Sequence, residues 1–215
     1  MKLDYTKEYY KCGRLELARQ ILAGPNRVLD LGCAEGVLGA SLKQQGLARE
    51  VLGIELFKDA AKVAETRLDR VICGDIEALD RDELGLVKES FDYILCGDVL
   101  EHLRDPWRIL AWLASLLKDD GRLIASVPNV RHWSVVLPLL FQGKWEYQAH
   151  GIMDRTHLRF FTRKTAIRMF EDCGLRVATC DGSRLLGKKD NLLNLAMLGM
   201  GRELVTVQWI LVGHR

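Results

Sequence analysis

The 215-residue chain lacks any long apolar segment. Its longest apolar run, residues 135–141, is seven residues, whereas a helix crossing a bilayer needs about 20. An excess of one charge is also missing. Thirty-one basic residues face 29 acidic ones, for a formal net charge of +2. That leaves no bulk electrostatic case for nucleic acid or an anionic membrane. Residues 1–8 place no apolar core behind a basic flank, so no secretory leader is expected. The cysteines at 12, 33, 73, 96, 173 and 180 form no C-x-x-C pair and no Cys/His cluster at zinc spacing, so no structural metal is expected. Cys73 and Cys96 lie in apolar runs. The thiols therefore read as small core residues in a reducing, cytoplasmic compartment.

What is present is a soluble globular balance, 48% hydrophobic and 28% charged, of a length that suits one domain over residues 1–215. Short apolar runs at 28–31, 51–54, 71–73, 91–96 and 123–127 read as strands. They are rich in Val, Ile and Leu and do not alternate, as expected of strands covered on both faces. Amphipathic segments at 8–22, 37–45, 58–68 and 106–117 read as helices between them, with Gly46, Gly121 and Gly174 as left-handed caps. The alternation predicts a doubly wound α/β fold. After Pro128 the pattern breaks. Residues 129–161 mix aromatics, histidines and an apolar run containing Pro138, and read as an insertion at the ligand-binding edge of the sheet. A helix at 163–172 with Thr162 as N-cap, strands at 175–180 and 206–212, and a helix at 191–200 complete the chain.

Chemistry is concentrated in the turn Asp30-Leu31-Gly32-Cys33-Ala34-Glu35-Gly36. A strand ends in an acidic residue, turns through glycines and opens a helix. Gly32 and Gly36 suit close approach of the backbone to a ligand. The Gly-Lys-Ser/Thr of a phosphate loop is absent, and the glycine register is not G-x-G-x-x-G. Asp30 would repel a pyrophosphate but attract a cationic ligand. Glu55, 25 residues after Asp30, ends the second strand, where a carboxylate can accept from both hydroxyls of a ribose. Cys73-Gly74-Asp75-Ile76 follows the third strand. The fourth strand runs into Gly97-Asp98-Val99-Leu100-Glu101-His102-Leu103.

Together these segments resemble the class I S-adenosylmethionine (SAM)-dependent methyltransferases, with Ala34 replacing the middle glycine of acidic-x-Gly-x-Gly-x-Gly. The region around 91–106, with Leu123–Asn129, is most similar to small-molecule O-methyltransferases such as those of ubiquinone biosynthesis. The Asn/Asp-Pro-Pro-Tyr of adenine-N6 and cytosine-N4 methyltransferases is absent. The stretch from His150 to Thr162 resembles a segment of methyltransferases associated with cell-surface polysaccharide synthesis. The resemblance implies a Rossmann-like, seven-stranded, mostly parallel sheet with the insertion after its fifth strand. It implies SAM contacts at Asp30, Gly32, Cys33, Ala34, Gly36, Glu55, Leu56, Asp75, Ile76 and Gly97, with Asp75 meeting the adenine amino group and Ile76 the ring.

The expected reaction is methyl transfer to a small-molecule hydroxyl on a sugar, quinol or lipid-linked acceptor. A hydroxyl acceptor benefits from a base. His102 is one candidate; His157 with Asp154 in the insertion is the rival. His150, Asp154, His157 and Trp133 are candidates for the acceptor pocket. If Asp98 opens a helical turn, it shares a face with Glu101 and His102, but such a trio is more often solvated or capping, and no metal is expected. A homodimer through 135–141 stays open, as do a non-catalytic SAM-binding regulator and an NAD-dependent oxidoreductase.

Overall fold

The computed structural model describes residues 14–80, 82–183 and 201–215. Seven strands form one sheet: β1 (Arg27–Leu31), β2 (Glu50–Glu55), β3 (Arg70–Cys73), β4 (Phe91–Gly97), β5 (Leu117–Pro128), β6 (Arg176–Gly182) and β7 (Gln208–His214). Their order is β3-β2-β1-β4-β5-β7-β6. Strands β1 to β5 pair in parallel, while β7 runs antiparallel to both β5 and β6. All seven strand expectations fall on observed strands. The order reverses direction between β1 and β4, the crevice where ligands collect in open α/β sheets.

The non-alternating apolar runs have the anticipated cause. Neighbouring residues of each central strand enter opposite cores: Leu29, Leu52 and Ile94 pack with Leu110, Leu113 and Phe170. Val28, Val51 and Tyr93 pack with Leu17, Leu42 and Ala64 on the other face. The helices are α1 (Leu15–Ala18), α2 (Val37–Gln44), α3 (Lys58–Ala64), α4 (Pro106–Leu116), α5 (Trp133–Gln142), α6 (Arg163–Asp172) and α7 (Arg202–Val205). Asp105 caps α4 by accepting from the Arg108 N–H, with Pro106 in the first turn, a position that needs no donor. Thr162 caps α6 in a reciprocal box with Thr165.

Three expectations need correction. Gly46 and Gly174 adopt left-handed φ values of 69° and 81°, but Gly121 lies inside β5, where a Cβ would stand 2.9 Å from the Phe91 carbonyl oxygen. Cys73 is exposed, because β3 is the edge strand; among the described residues, Cys33, Cys96 and Cys180 are the buried thiols. Within residues 8–22 the described helix is only α1. The helix expected at 191–200 lies outside the described residues. The insertion holds a helix that its Pro138 concealed. α5 continues through that proline, at the loss of one backbone hydrogen bond.

Candidate active site

A cavity of about 430 Å³ opens at the carboxyl ends of β1, β2 and β4. Its wall contains every residue singled out for SAM except Gly36. The loop after β1 is held open by backbone geometry. Gly32, Ala34 and Gly36 all have left-handed φ, at 73°, 49° and 75°. The Gly32 and Cys33 amides donate to the Ile54 carbonyl at 2.8 and 3.2 Å. The reason for Gly32 differs from the expected one. A Cβ there would stand 2.5 Å from Val99 Cγ2, so a neighbouring loop of the protein already demands glycine. Gly36 does not line the cavity; it lets α2 start close to Ala64 of α3, whose Cα would lie 3.2 Å from an added Cβ.

Glu55 is buried, and its carboxylate accepts from the Ala34 amide at 2.8 Å and the Phe57 amide at 2.9 Å. It thus braces the glycine loop while facing the cavity, and each oxygen retains a further lone pair for a ribose hydroxyl. Asp75 accepts from the Glu77 amide at 2.9 Å, which fixes its carboxyl at the cavity edge beside Ile76. Asp30 is the electrostatic centre. Burial raises its pKa to about 7, Glu55 adds to the rise, and Arg14 opposes it. A cationic ligand would stabilise the ionised form. Arg14 was missed by sequence reasoning: it precedes the first strand, outside every motif. It packs over Gly97, where an added Cβ would meet its guanidinium, and pairs with Asp98 at 3.4 Å.

Beyond Gly97 the chain turns sharply. Asp98 has φ 49°. Its carboxylate accepts from the Ser126 hydroxyl at 2.8 Å and from the Gln208 amide, so it ties β4 to β5 and β7. Asp98 therefore does not join Glu101 and His102 in one group. A short 3-10 helix, Leu100–His102, follows. Here the insertion folds back. The Leu158 and Arg159 amides donate to the Glu101 carbonyl at 2.8 and 3.0 Å. His102 Nδ1 lies 3.2 Å from the Thr156 carbonyl, and the His102 and His157 rings meet edge to face at 4.8 Å.

This juxtaposition creates a group invisible in sequence. Glu101, His102 and His157 bring potential ligand atoms within 4.8 Å of one another. Glu101 is 1% exposed, and both its carboxylate oxygens are buried without a hydrogen-bond partner. Burial, then the charge of Asp98, hold its pKa well above the carboxylate range. His102 lines the cavity. Partial desolvation, then His157, lower its pKa, which favours the neutral imidazole. With Nδ1 against a carbonyl, Nε2 is its available lone pair.

The other acceptor-side candidates are placed differently. His157 is buried, with Nδ1 3.0 Å from the Ile152 carbonyl. Asp154 accepts from the amide and hydroxyl of Thr156 at 2.8 and 2.7 Å, anchoring the turn that carries Thr156 to the cavity. His150 and Trp133 are not on the cavity wall; Arg104, Thr156 and Leu158 are.

Residues 4–179 match a family model described as a methyltransferase domain. Among curated relatives, the ubiquinone biosynthesis O-methyltransferase of Coxiella burnetii is 27% identical over 172 residues, covering 77% of this chain and 70% of the relative. The protein of the same name from Burkholderia pseudomallei is 30% identical over 160 residues, covering 73% and 67%. A SAM-dependent methyltransferase from Archaeoglobus fulgidus superimposes with a TM-score of 0.69 at 19% identity, covering 98% of this chain and 95% of that one. One from Mesorhizobium loti gives 0.65 at 17% identity, with each chain fully covered. The glycine-loop cavity with its buried Asp30 and Glu55, the sheet order and the family match agree: the chain belongs to the methyltransferase-domain family and is a class I SAM-dependent methyltransferase.

Proposed function

We propose that this enzyme methylates a hydroxyl of a small acceptor, with His102 as the base that takes the hydroxyl proton. The observation carrying the reading is that one cavity is lined both by the carboxylates of Asp30, Glu55 and Asp75 and by His102, whose pKa is lowered by partial burial. Its size lies in the range for small-molecule sites. SAM fills the side formed by Asp30, Glu55 and Asp75; the acceptor enters between His102, Thr156 and Leu158. The sulfonium already activates the methyl carbon, so in-line placement of the acceptor oxygen supplies much of the rate. His157 and Asp154 position this wall from behind. The name of the curated relatives favours an aromatic hydroxyl such as a quinol; sugar and lipid-linked hydroxyls remain in the acceptor set. The free thiols favour work in a reducing compartment.

A second reading rests on Glu101. Two carboxylate oxygens without partners, beside two histidines, could hold a divalent cation that lowers the acceptor hydroxyl's pKa. The deciding experiment is a mass-spectrometric turnover screen with SAM over quinol, phenol, sugar and nucleotide-sugar acceptors, with and without chelator. S-adenosylhomocysteine and a methyl ether are the expected products. Turnover that survives chelation supports the histidine base, while loss restored by Mg²⁺ or Zn²⁺ supports the cation. SAM binding without turnover on any acceptor favours a non-catalytic role.

A further inference from the structure

Helix α5 contradicts the usual pattern of a surface helix, whose outward side is polar. Its sequence, WSVVLPLLFQ, contains no charged residue, and Val135 alone is fully buried. The inward face is set by Val135, Pro138 and Gln142, which line a second cavity of about 230 Å³ together with Trp145, Gln148 and Met153. The opposite face carries Leu137, Leu140 and Phe141. Leu140 is 68% and Phe141 75% exposed. Leu139, Trp145 and Tyr147 continue the exposed apolar surface. Residues 137–147 thus hold six of the 12 exposed large hydrophobic side chains among the described residues, a concentration that marks an interaction site.

We infer that this face of α5, with Trp145 and Tyr147, docks on the surface of an anionic lipid bilayer. Three features select that occupant. The first is charge. Residues 129–161 contain Arg131, Lys144, Arg155 and Arg159 against Glu146 and Asp154; with Arg131 paired to Glu203 outside the segment, a net charge of +1 is left. That small basic excess suits anionic headgroups. The second is chemistry. Leucines and a phenylalanine on one side of a short helix, flanked by Trp, Tyr and Lys, match what lies at the headgroup–acyl boundary. No helix among the described residues is long and apolar enough to cross a membrane, so the contact is peripheral. The third is extent. A stable dimer buries about 800 Å² and 20–30 residues per partner, while this patch is one ten-residue helix and the segment after it. The patch is linked to the cavity mouth through Trp145, whose ring meets Phe160 at 5.2 Å, two residues beyond Leu158 of the cavity wall, which is itself exposed and apolar. Docking would turn that mouth toward the bilayer and admit an amphiphilic acceptor from it. The docking itself does not depend on which acceptor is methylated.

Flotation of the full chain with vesicles tests this. Vesicles of phosphatidylcholine with about one third phosphatidylserine should carry the protein upward, with a blue shift in tryptophan emission. Binding should weaken in pure phosphatidylcholine and at high salt. The double variant L140D/F141D replaces two exposed residues outside the cavity, so its SAM affinity and melting temperature should match the parent while its partition coefficient falls at least tenfold. Absence of parent binding, or equal partition of parent and double variant, overturns the inference. So does a parent dimer in solution that L140D/F141D converts to monomer, since a second copy would then own this face.

Discussion

The two walls of the cavity are built differently. The cofactor wall is made of backbone: three alternate left-handed positions after β1, amides pinned to Ile54, and one buried carboxylate gripping two amides. The acceptor wall is made of side chains on a returning segment, held by the Glu101 carbonyl and a carbonyl contact at His102. A backbone-built site needs residues at fixed spacings in one short stretch. A side-chain-built site needs only that distant residues meet. Under the proposed assignment, the first would bind a constant ligand, and the second could change acceptor without disturbing it.

Substitutions that strike one wall should separate the two functions. The largest effect is expected for His102→Ala. Loss of a general base costs about 10²–10⁴ in rate, so turnover should fall by that range while the Kd for SAM, measured by calorimetry, shifts less than threefold. An unchanged rate would mean that positioning alone suffices. On the opposite wall, Gly32→Val should lose SAM binding by about a hundredfold or more. It should also lower the melting temperature, because the new side chain meets Val99 and must adopt φ 73°. A stable variant that binds normally would contradict the geometry.

Glu55→Ala removes bonds to a charged group worth about 1.5–3 kcal/mol. SAM affinity should drop roughly tenfold or more, and the Ala34 loop should exchange amide hydrogen faster. A fall in affinity with unchanged exchange would assign Glu55 to the ribose alone.

The effect of pH is no larger. With Asp30 raised to about 7, SAM binds the ionised form, so affinity should rise by up to about tenfold between pH 6 and 8. The sign for the free protein is opposite. Folded Asp30 holds its proton up to about 7, against 3.8 ordinarily, so its contribution to stability is present at low pH and lost as pH rises through that range. Asp30→Asn should flatten both profiles. The smallest effect is expected for His150→Ala, which changes an exposed residue off the cavity wall. SAM affinity and turnover should both stay within about twofold.

The legible part of the molecule follows the same division. Strands such as 51–54 and 91–96 were readable because burial on both faces leaves mostly apolar runs without alternation. The SAM loop was readable because its positive φ values leave a glycine signature. Pro138 hid α5 because a proline inside a helix is read as its end. Cys73 was assigned to the core because its run is apolar, and only the sheet order made β3 an edge. Asp98 was grouped with Glu101 and His102 on helical spacing, but a left-handed turn sends its carboxylate to Ser126 and Gln208.

The sequence by itself determined the fold class, the cofactor and its binding loop, since each depends on local periodicity or on backbone conformations that specific residues must supply. Only the tertiary structure decided which residues meet on the far wall of the cavity. His102 and His157 are 55 positions apart in sequence, and nothing in either segment encodes that their rings touch. That contact arises from amides of residues 158 and 159 bonding the Glu101 carbonyl, and hydrogen bonds between distant backbone groups carry no side-chain pattern to read.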